Sequence, residues 1–199
     1  ILEGDIYSRS VINIATPTNV NNTQWLNFLK KLTQERPFIW ENHKPALQTN
    51  FLNPGISAVL TFPTGAGKTT LSELKIASTL CNGKTIIYIV PTHALKDQVN
   101  RNLKQLFEGT INTAFEIDAE FTDLFQDTTF PIMVLTPERC LSLANISPET
   151  FQNVGLIVFD EFHLIHGVDI RKDRRSIDAM YCLLQLFILS PGADYMLIS

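Results

Sequence analysis

Apolar runs and amphipathic segments alternate along the chain from about residue 56 onward. Five apolar runs lack the strict two-residue alternation of a half-exposed strand, which is typical of strands buried on both faces of a parallel sheet. They cover residues 56–62, 85–90, 132–135, 154–159 and 195–198. Four segments between them have helical spacing, at residues 69–80, 94–107, 137–144 and 176–189. This alternation of strand and helix predicts an α/β fold with a mostly parallel sheet. A weaker strand is predicted at residues 111–117.

The first part of the chain follows a different pattern. Residues 1–20 show no sustained period and predict an irregular arm. Trp25, Phe28, Leu29 and Leu32 then recur at helical spacing after Thr23, which we expect to cap a helix that ends before Pro37. We therefore divide the chain into an N-terminal arm and helix, residues 1–36, and a main domain, residues 37–199.

Composition limits the kind of protein this is. With 199 residues and 45% hydrophobic residues, the chain can bury one good core. The formal net charge of -4 argues against a global basic field, so any nucleic-acid contact has to be local. Cys81, Cys140 and Cys182 lie far apart, which predicts reduced, buried thiols and a cytoplasmic protein. The longest apolar run is much shorter than the ~20 residues that span a bilayer, so we expect no membrane partner.

A glycine-rich segment at residues 61–70 lies between a predicted strand and a predicted helix, the position that a phosphate-binding loop requires. Glycines let the backbone curl so that its N–H groups and the helix N-terminus face an anion. Lys68 adds a charge for the β- and γ-phosphates, and the Thr69 hydroxyl is placed to bind Mg²⁺. The predicted ATP-binding residues here are Thr64, Gly65, Ala66, Gly67, Lys68, Thr69 and Thr70. Phe62 replaces the first glycine of the strict Walker A pattern, and the alternative is a simple turn before a helix.

A second group of polar residues follows the predicted strand at 154–159. Asp160 and Glu161 would emerge at the carboxyl end of a buried strand, where open α/β sheets bind ligands. We expect Asp160 to hold Mg²⁺ and Glu161 to polarise the attacking water. His163 and His166 lie three residues apart near these carboxylates, so a separate metal site is a weaker alternative.

Together these residues resemble the motifs of a known family. The loop at residues 63–69 and Asp160, Glu161, Phe162 and His163 resemble motifs I and II of superfamily two helicases of the DExH-box type. Residues 90–98 are similar to motif Ia, residues 135–139 to motif Ib, and residues 197–199 to the start of motif III. The order and spacing of these motifs argue against coincidence. The resemblance covers the chain from about Trp40 to its end.

The resemblance implies a fold, a function and several residue roles. The fold is a three-layer RecA-like P-loop NTPase domain, the first of two in a helicase, here preceded by a short helical arm. Glu161, Lys68 and Asp160 are implied to be catalytic, and His163 to link hydrolysis to strand movement. Contacts to the backbone of RNA or DNA are implied for four residues of motifs Ia and Ib: Pro91, Thr92, Thr136 and Arg139.

Two segments leave alternatives open. His43 falls near the position where many family members have an adenine-reading glutamine, so it either contacts the base or packs at the entry of a helix. The basic cluster at residues 171–175 is by default a solvated loop, but it could face a nucleic-acid strand. The acidic segment at residues 116–127 predicts a solvated helix or loop.

We therefore expect the ATP-binding motor domain of a nucleic-acid-dependent helicase or translocase. One alternative is a double-strand DNA translocase of the remodelling or restriction type, and another is a nucleotide-dependent binding switch without motor activity. The chain begins at Ile1 and ends at Ser199, inside motif III. We expect a fragment whose second RecA-like domain lies elsewhere in the full-length protein, and hence very slow ATP hydrolysis by these 199 residues alone.

Overall fold

Five parallel strands form the centre of the molecule. The computed structural model describes residues 7–63, 67–111, 131–163 and 174–199. In these ranges the sheet has the order β1-β5-β4-β2-β3, with every neighbouring pair parallel. The strands are β1 Ala58–Leu60, β2 Thr85–Ile89, β3 Ile132–Leu135, β4 Val154–Phe159 and β5 Asp194–Ile198. The predicted α/β fold with a mostly parallel sheet is confirmed.

Helices cover both faces of the sheet. They are α1 Asn22–Glu35, α2 Lys44–Gln48, α3 Lys68–Cys81, α4 His93–Phe107, α5 Pro137–Ile146 and α6 Arg174–Leu189. Short 3₁₀ turns lie at Val11–Asn13, Glu41–His43 and Pro148–Phe151. Alternate residues of β2 enter two separate cores, because successive side chains of a strand point to opposite faces. Ile86 and Tyr88 pack with α1, α3 and α4, whereas Ile87 and Ile89 pack with α5 and α6.

The predicted strands and helices within the described residues agree with the structure to within two residues at each end, and two details differ. The strand predicted at 56–62 is shorter in the structure, where only Ala58–Leu60 form β1 and pair with β5. The predicted cap of α1 at Thr23 is wrong. Asn21 caps this helix, its side chain accepting a hydrogen bond from the Gln24 N–H at 3.1 Å. The predicted strand at 111–117 and the acidic segment at 116–127 lie almost entirely outside the described residues.

Helix α1 packs into the same core as the sheet. Trp25 and Phe28 are completely buried, and the Phe28 ring stacks on Phe107 of α4 at 5.4 Å between centroids. Lys31 Nζ donates to the Gln105 and Glu108 carbonyls at 2.5 and 2.8 Å, at the C-terminal end of α4. A cation suits this negative end of a helix. The domain boundary after residue 36 stays a prediction, but α1 is an integral packing element.

A buried ion pair joins the middle of α3 to the first residue of β5. Lys75 on α3 is 1% exposed, and its Nζ lies 3.0 Å from Asp194 Oδ2 and 2.7 Å from the Asn53 carbonyl. The same Asp194 oxygen accepts from the Gly55 N–H at 3.0 Å. These bonds compensate the desolvation of both charges, which would otherwise be costly. Sequence reasoning missed this pair, since neither residue stands in a recognisable pattern.

The three cysteines are free and buried, as predicted. Burial raises the pKa of Cys81 to about 12, so its thiol stays protonated and unreactive. Within the described residues, none of the helices combines the length and apolar character needed to cross a bilayer.

Candidate active site

Helix α3 begins directly at the predicted phosphate loop. Gly67 forms its N-cap with φ +86°, a left-handed conformation that glycine adopts without strain. Lys68 is the first helical residue, and Thr69 and Thr70 follow in the first turn, with Thr69 exposed and Thr70 buried. The positive end of the helix dipole therefore lies at the loop. Thr64, Gly65 and Ala66 lie outside the described residues.

Lys68 lies close to the second half of the site. Its Nζ donates to the Ser199 carbonyl at 2.9 Å, and the Ser199 N–H in turn bonds the Leu60 carbonyl at the end of β1. Burial raises the pKa of Asp160, and the nearby Lys68 charge opposes that rise. The charge of Lys68 therefore acts on the Asp160 carboxylate that follows β4, although the two residues are far apart in the chain.

Asp160 follows β4 and is held on both of its carboxylate oxygens. Oδ1 accepts from the Glu161 N–H at 2.9 Å, and Oδ2 accepts from the Tyr88 hydroxyl at 3.3 Å. Glu161 has φ +53°, a left-handed conformation that is uncommon for a residue with a side chain. Backbone strain of this kind clusters at functional sites, where surrounding contacts maintain it.

The second carboxylate has a different partner. His163 Nδ1 lies 3.2 Å from Glu161 Oε2, and both side chains are about half exposed. The Glu161 carboxylate can therefore reach solvent or a bound ligand, whereas the Asp160 carboxylate is fixed by its two hydrogen bonds. This places the residue expected to act on water and the residue expected to hold metal side by side with distinct surroundings.

The oxygen ligands available at this site suit Mg²⁺. The Thr69 hydroxyl and the Asp160 carboxylate are hard donors, and Mg²⁺ commonly binds few protein oxygens together with waters and substrate phosphates. No group of three or more His, Cys, Asp or Glu residues that could hold a metal occurs within the described part of the chain. The alternative metal site at His163 and His166 receives no support there, and His166 itself lies outside the described residues.

His43 lies beneath the phosphate loop. It is completely buried, and its Nδ1 accepts from the Trp40 N–H at 3.4 Å. A Cβ placed on Gly67 would lie 2.3 Å from His43 Nε2, so the ring contacts the Gly67 backbone directly. The ring also meets Phe62 edge-on, with 6.3 Å between centroids. Of the two interpretations of His43, this geometry favours packing. The two departures from the family pattern, His43 and Phe62, contact each other.

The structure adds polar neighbours that sequence reasoning missed. Arg36 donates to Thr70 Oγ1 at 3.0 Å and lies 2.7 Å from Glu73 Oε2. Burial raises the pKa of Glu73, and the Arg36 contact opposes that rise. Tyr88 is a second polar neighbour that sequence reasoning missed. Burial, together with the Asp160 carboxylate, raises the pKa of its hydroxyl well above the usual value. A tyrosine inside a strand buried on both faces was the available signal, because a buried hydroxyl usually needs a partner.

The segments resembling motifs Ia and Ib lie beside the carboxylates. A cavity of about 190 Å³ is lined by Pro91, Thr92, Glu138, Asp160, Glu161 and Arg175, among others. Thr92 and Thr136 are the N-caps of α4 and α5, accepting from the backbone N–H groups of Leu95 and Arg139. Thr92 is exposed, whereas Thr136 is only 2% exposed. Arg139 is half-buried and does not line the cavity. Of the basic cluster, only the Arg175 side chain is described.

A parallel sheet with a loop-to-helix anion site and two acidic residues at the end of an inner strand defines a P-loop NTPase domain of the RecA-like class. The family pattern of DEAD/DEAH box helicases matches residues 45–191, and the chain belongs to this family. The recognition of a superfamily two helicase domain is thereby confirmed.

Individual relatives are more distant. The ATP-dependent DNA helicase Hel308 of Thermococcus kodakarensis is 31% identical over 145 residues, which cover 71% of this chain and 13% of that protein. The probable helicase HelY of Mycobacterium tuberculosis is 26% identical, covering 69% of this chain and 14% of its own. The chain thus spans about one seventh of these relatives.

Solved structures support the fold. The DUF1998 helicase MrfA superposes with a TM-score of 0.69 at 19% identity, covering 92% of this chain and 29% of its own. The helicase Lhr of Mycobacterium smegmatis, solved with ssDNA and AMP-PNP, gives 0.68 at 18% identity, with 92% and 25% coverage. At these identities the likeness carries the RecA-like fold alone.

Proposed function

We propose that this chain is the ATP-binding motor domain of a nucleic-acid-dependent helicase, in which Mg-ATP hydrolysis drives unwinding or translocation. The observation that carries the proposal is the pairing of a helix that begins at the phosphate loop with Gly67 and Lys68 and two adjacent carboxylates, Asp160 and Glu161, directly after β4. The AMP-PNP bound in the Lhr structure supports ATP as the ligand of this site. The family match over residues 45–191 supports the helicase class.

The residues of the site divide the work of phosphoryl transfer to water. Lys68 and the N-terminus of α3 bind the β- and γ-phosphates, and the residues that hold Mg²⁺ are Thr69 and Asp160. Bound Mg²⁺ supplies positive charge that neutralises the phosphate oxygens. Glu161 orients the attacking water and accepts its proton, because its carboxylate is about half exposed and the residue directly follows Asp160. In this proposal His163, whose Nδ1 lies 3.2 Å from Glu161 Oε2, links hydrolysis to strand movement.

The nucleic-acid strand is proposed to run over the N-termini of α4 and α5. Backbone N–H groups at helix N-termini and hydroxyl groups suit phosphate contact. Pro91, Thr92 and Arg139 supply the surface, while the buried Thr136 acts through the helix end that it caps. MrfA was solved with DNA and Lhr with ssDNA, so DNA is the first strand to test. A second RecA-like domain of the full-length protein would close the ATP site.

The test is a calorimetric titration of this chain with AMP-PNP and Mg²⁺. We expect measurable binding by the native sequence and a sharp loss in Lys68→Ala, because Lys68 supplies the cation of the phosphate site. Lys84→Ala is the matched control, since Lys84 pairs with Asn153 near the opposite end of α3. Equal affinity of all three proteins would remove Lys68 from the site and the proposal with it.

A further inference from the structure

The Tyr88 hydroxyl is a buried group with a single described hydrogen-bond partner, Asp160. Tyr88 lies on β2, is 7% exposed, and donates to Asp160 Oδ2 at 3.3 Å. A carboxylate can only accept, so the tyrosine is the donor. The register of β2 on β4 pairs Tyr88 with Val158, two residues before Asp160. The sheet itself therefore sets the distance between the hydroxyl and the carboxylate.

This bond completes the fixation of the Asp160 carboxylate. The Glu161 N–H holds Oδ1 at 2.9 Å, but one bond leaves the carboxylate free to swing about it. The bond from Tyr88 to Oδ2 comes from a neighbouring strand and removes that freedom. Each oxygen keeps lone pairs, since a carboxylate offers about four acceptor positions. Asp160 is thus oriented while still able to accept from water or to bind a cation.

We propose that Tyr88 is a positioning residue for the metal-holding carboxylate of Asp160, so that its hydroxyl raises the affinity of the site for Mg-nucleotide. This inference rests on the proposed function, because it requires Mg²⁺ at Asp160. Groups outside the direct ligands that orient them commonly change metal affinity by about 10- to 100-fold. Tyr88 has this relation to Asp160, without contacting the nucleotide itself.

The surroundings of Tyr88 favour a polar role over simple packing. On the face of the sheet that Tyr88 enters, α3 contributes the buried Glu73, whose carboxylate lies 2.7 Å from Arg36. A purely structural position in a buried strand is more simply filled by phenylalanine, which needs no partner.

The experiment compares Tyr88→Phe with Tyr195→Phe. Tyr195 is a matched control on β5, because its buried hydroxyl has no hydrogen-bond partner in the described structure. AMP-PNP affinity of this chain is measured by calorimetry with Mg²⁺ and again with EDTA. The Mg-dependent gain is the ratio of the AMP-PNP affinity with Mg²⁺ to that with EDTA. We expect this ratio to be about 10-fold smaller in Tyr88→Phe than in the native chain. The affinity in EDTA should stay native. Tyr195→Phe should match the native protein in both conditions.

The EDTA measurement reports folding as well, since only a folded loop binds the phosphates. A full Mg-dependent gain in Tyr88→Phe would overturn the positioning role while leaving the proposed function intact. Equal losses with and without Mg²⁺ would also overturn it, because they would indicate damage to the loop. Absence of any Mg-dependent gain in the native chain would instead contradict the proposed Mg-ATP site, and the inference with it.

Discussion

Gly67 is constrained by its backbone and by a neighbour. Its φ of +86° already disfavours any other residue, and His43 fills the space that a side chain would need. The sequence predicted the first constraint, because glycine in a phosphate loop is required for a tight turn. It did not predict the second, since His43 reaches Gly67 only after the 3₁₀ turn and α3 have packed together.

Replacing Gly67 by Ala should therefore cost more than the backbone angle alone explains. Gly55→Ala is the matched control, because Gly55 has φ +88° and nothing within 4 Å of an added Cβ. We expect Gly55→Ala to cost about 1–2 kcal/mol of unfolding free energy. The collision with His43 should add roughly 1–3 kcal/mol in Gly67→Ala. Urea unfolding of both variants measures the difference. Equal costs would show that His43 does not press on the loop.

The role of Glu161 is testable by an isosteric change. In the full-length protein, Glu161→Gln should keep nucleotide affinity but lower turnover by about 10²-fold or more, because an amide cannot accept the proton of the attacking water. Steady-state ATPase and AMP-PNP titration measure the two effects. Glu138→Gln is the control, since this exposed carboxylate lines the same cavity as Glu161. Native turnover by Glu161→Gln would remove Glu161 from the reaction.

At the scale of elements, apolar runs predicted the strands well because burial on both faces leaves a continuous signal. The runs at Ile132–Leu135 and Val154–Phe159 agree with β3 and β4 residue for residue. Prediction was weaker at β1, where only three residues of the apolar run at 56–62 pair with β5. The N-cap of α1 was also predicted at the wrong residue, because a single side-chain hydrogen bond decides which residue caps a helix. Asn21 makes that bond in α1, where Thr23 offered a similar side chain.

The packing of α1 tests whether the first 36 residues are a detachable arm. Phe28 is completely buried against Phe107, whereas Leu26 on the same helix is 38% exposed. We expect Phe28→Ala to lower the unfolding free energy by about 3–5 kcal/mol. Leu26→Ala should stay near native stability. Urea unfolding of this chain provides the measurement. If both variants were equally mild, α1 would not belong to the core, and the predicted boundary would separate an independent arm.

For the whole molecule, the order of strands and the long-range polar contacts could not be predicted from one sequence. The contiguous motifs at the loop and at residues 160–163 were readable because each is a short local pattern. The pairs Tyr88 with Asp160, Arg36 with Glu73 and Lys75 with Asp194 join distant segments, and nothing local marks them. These pairs join the end of α1 to α3, α3 to β5, and β2 to the Asp160 carboxylate. Such pairs depend on tertiary packing, whereas each motif is contiguous in the sequence.

The final prediction concerns the catalytic power of these 199 residues taken alone. Fast hydrolysis of ATP needs a positively charged group beside the γ-phosphate in the transition state. An arginine finger that supplies this charge contributes roughly 10³ to 10⁵ in rate. The resemblance to superfamily two helicases assigns that arginine to a second RecA-like domain. Two arginines lie next to the site in the described residues, and neither belongs to a motif that supplies such a finger. Arg36 is bonded to Thr70 and Glu73, and Arg175 lines the cavity beside Thr92.

We therefore expect this chain to bind Mg-nucleotide but to hydrolyse ATP very slowly, with little stimulation by nucleic acid. A single RecA-like domain also offers only part of a strand-binding groove, so strand affinity should be low and should fall further as salt is raised. Steady-state ATPase of residues 1–199, with and without single-stranded RNA and DNA, is the measurement. The full-length protein is the control and should respond strongly to its strand. Robust stimulated turnover by the 199 residues would mean that the transition-state charge comes from within this domain, and Arg175 would then be the first residue to replace.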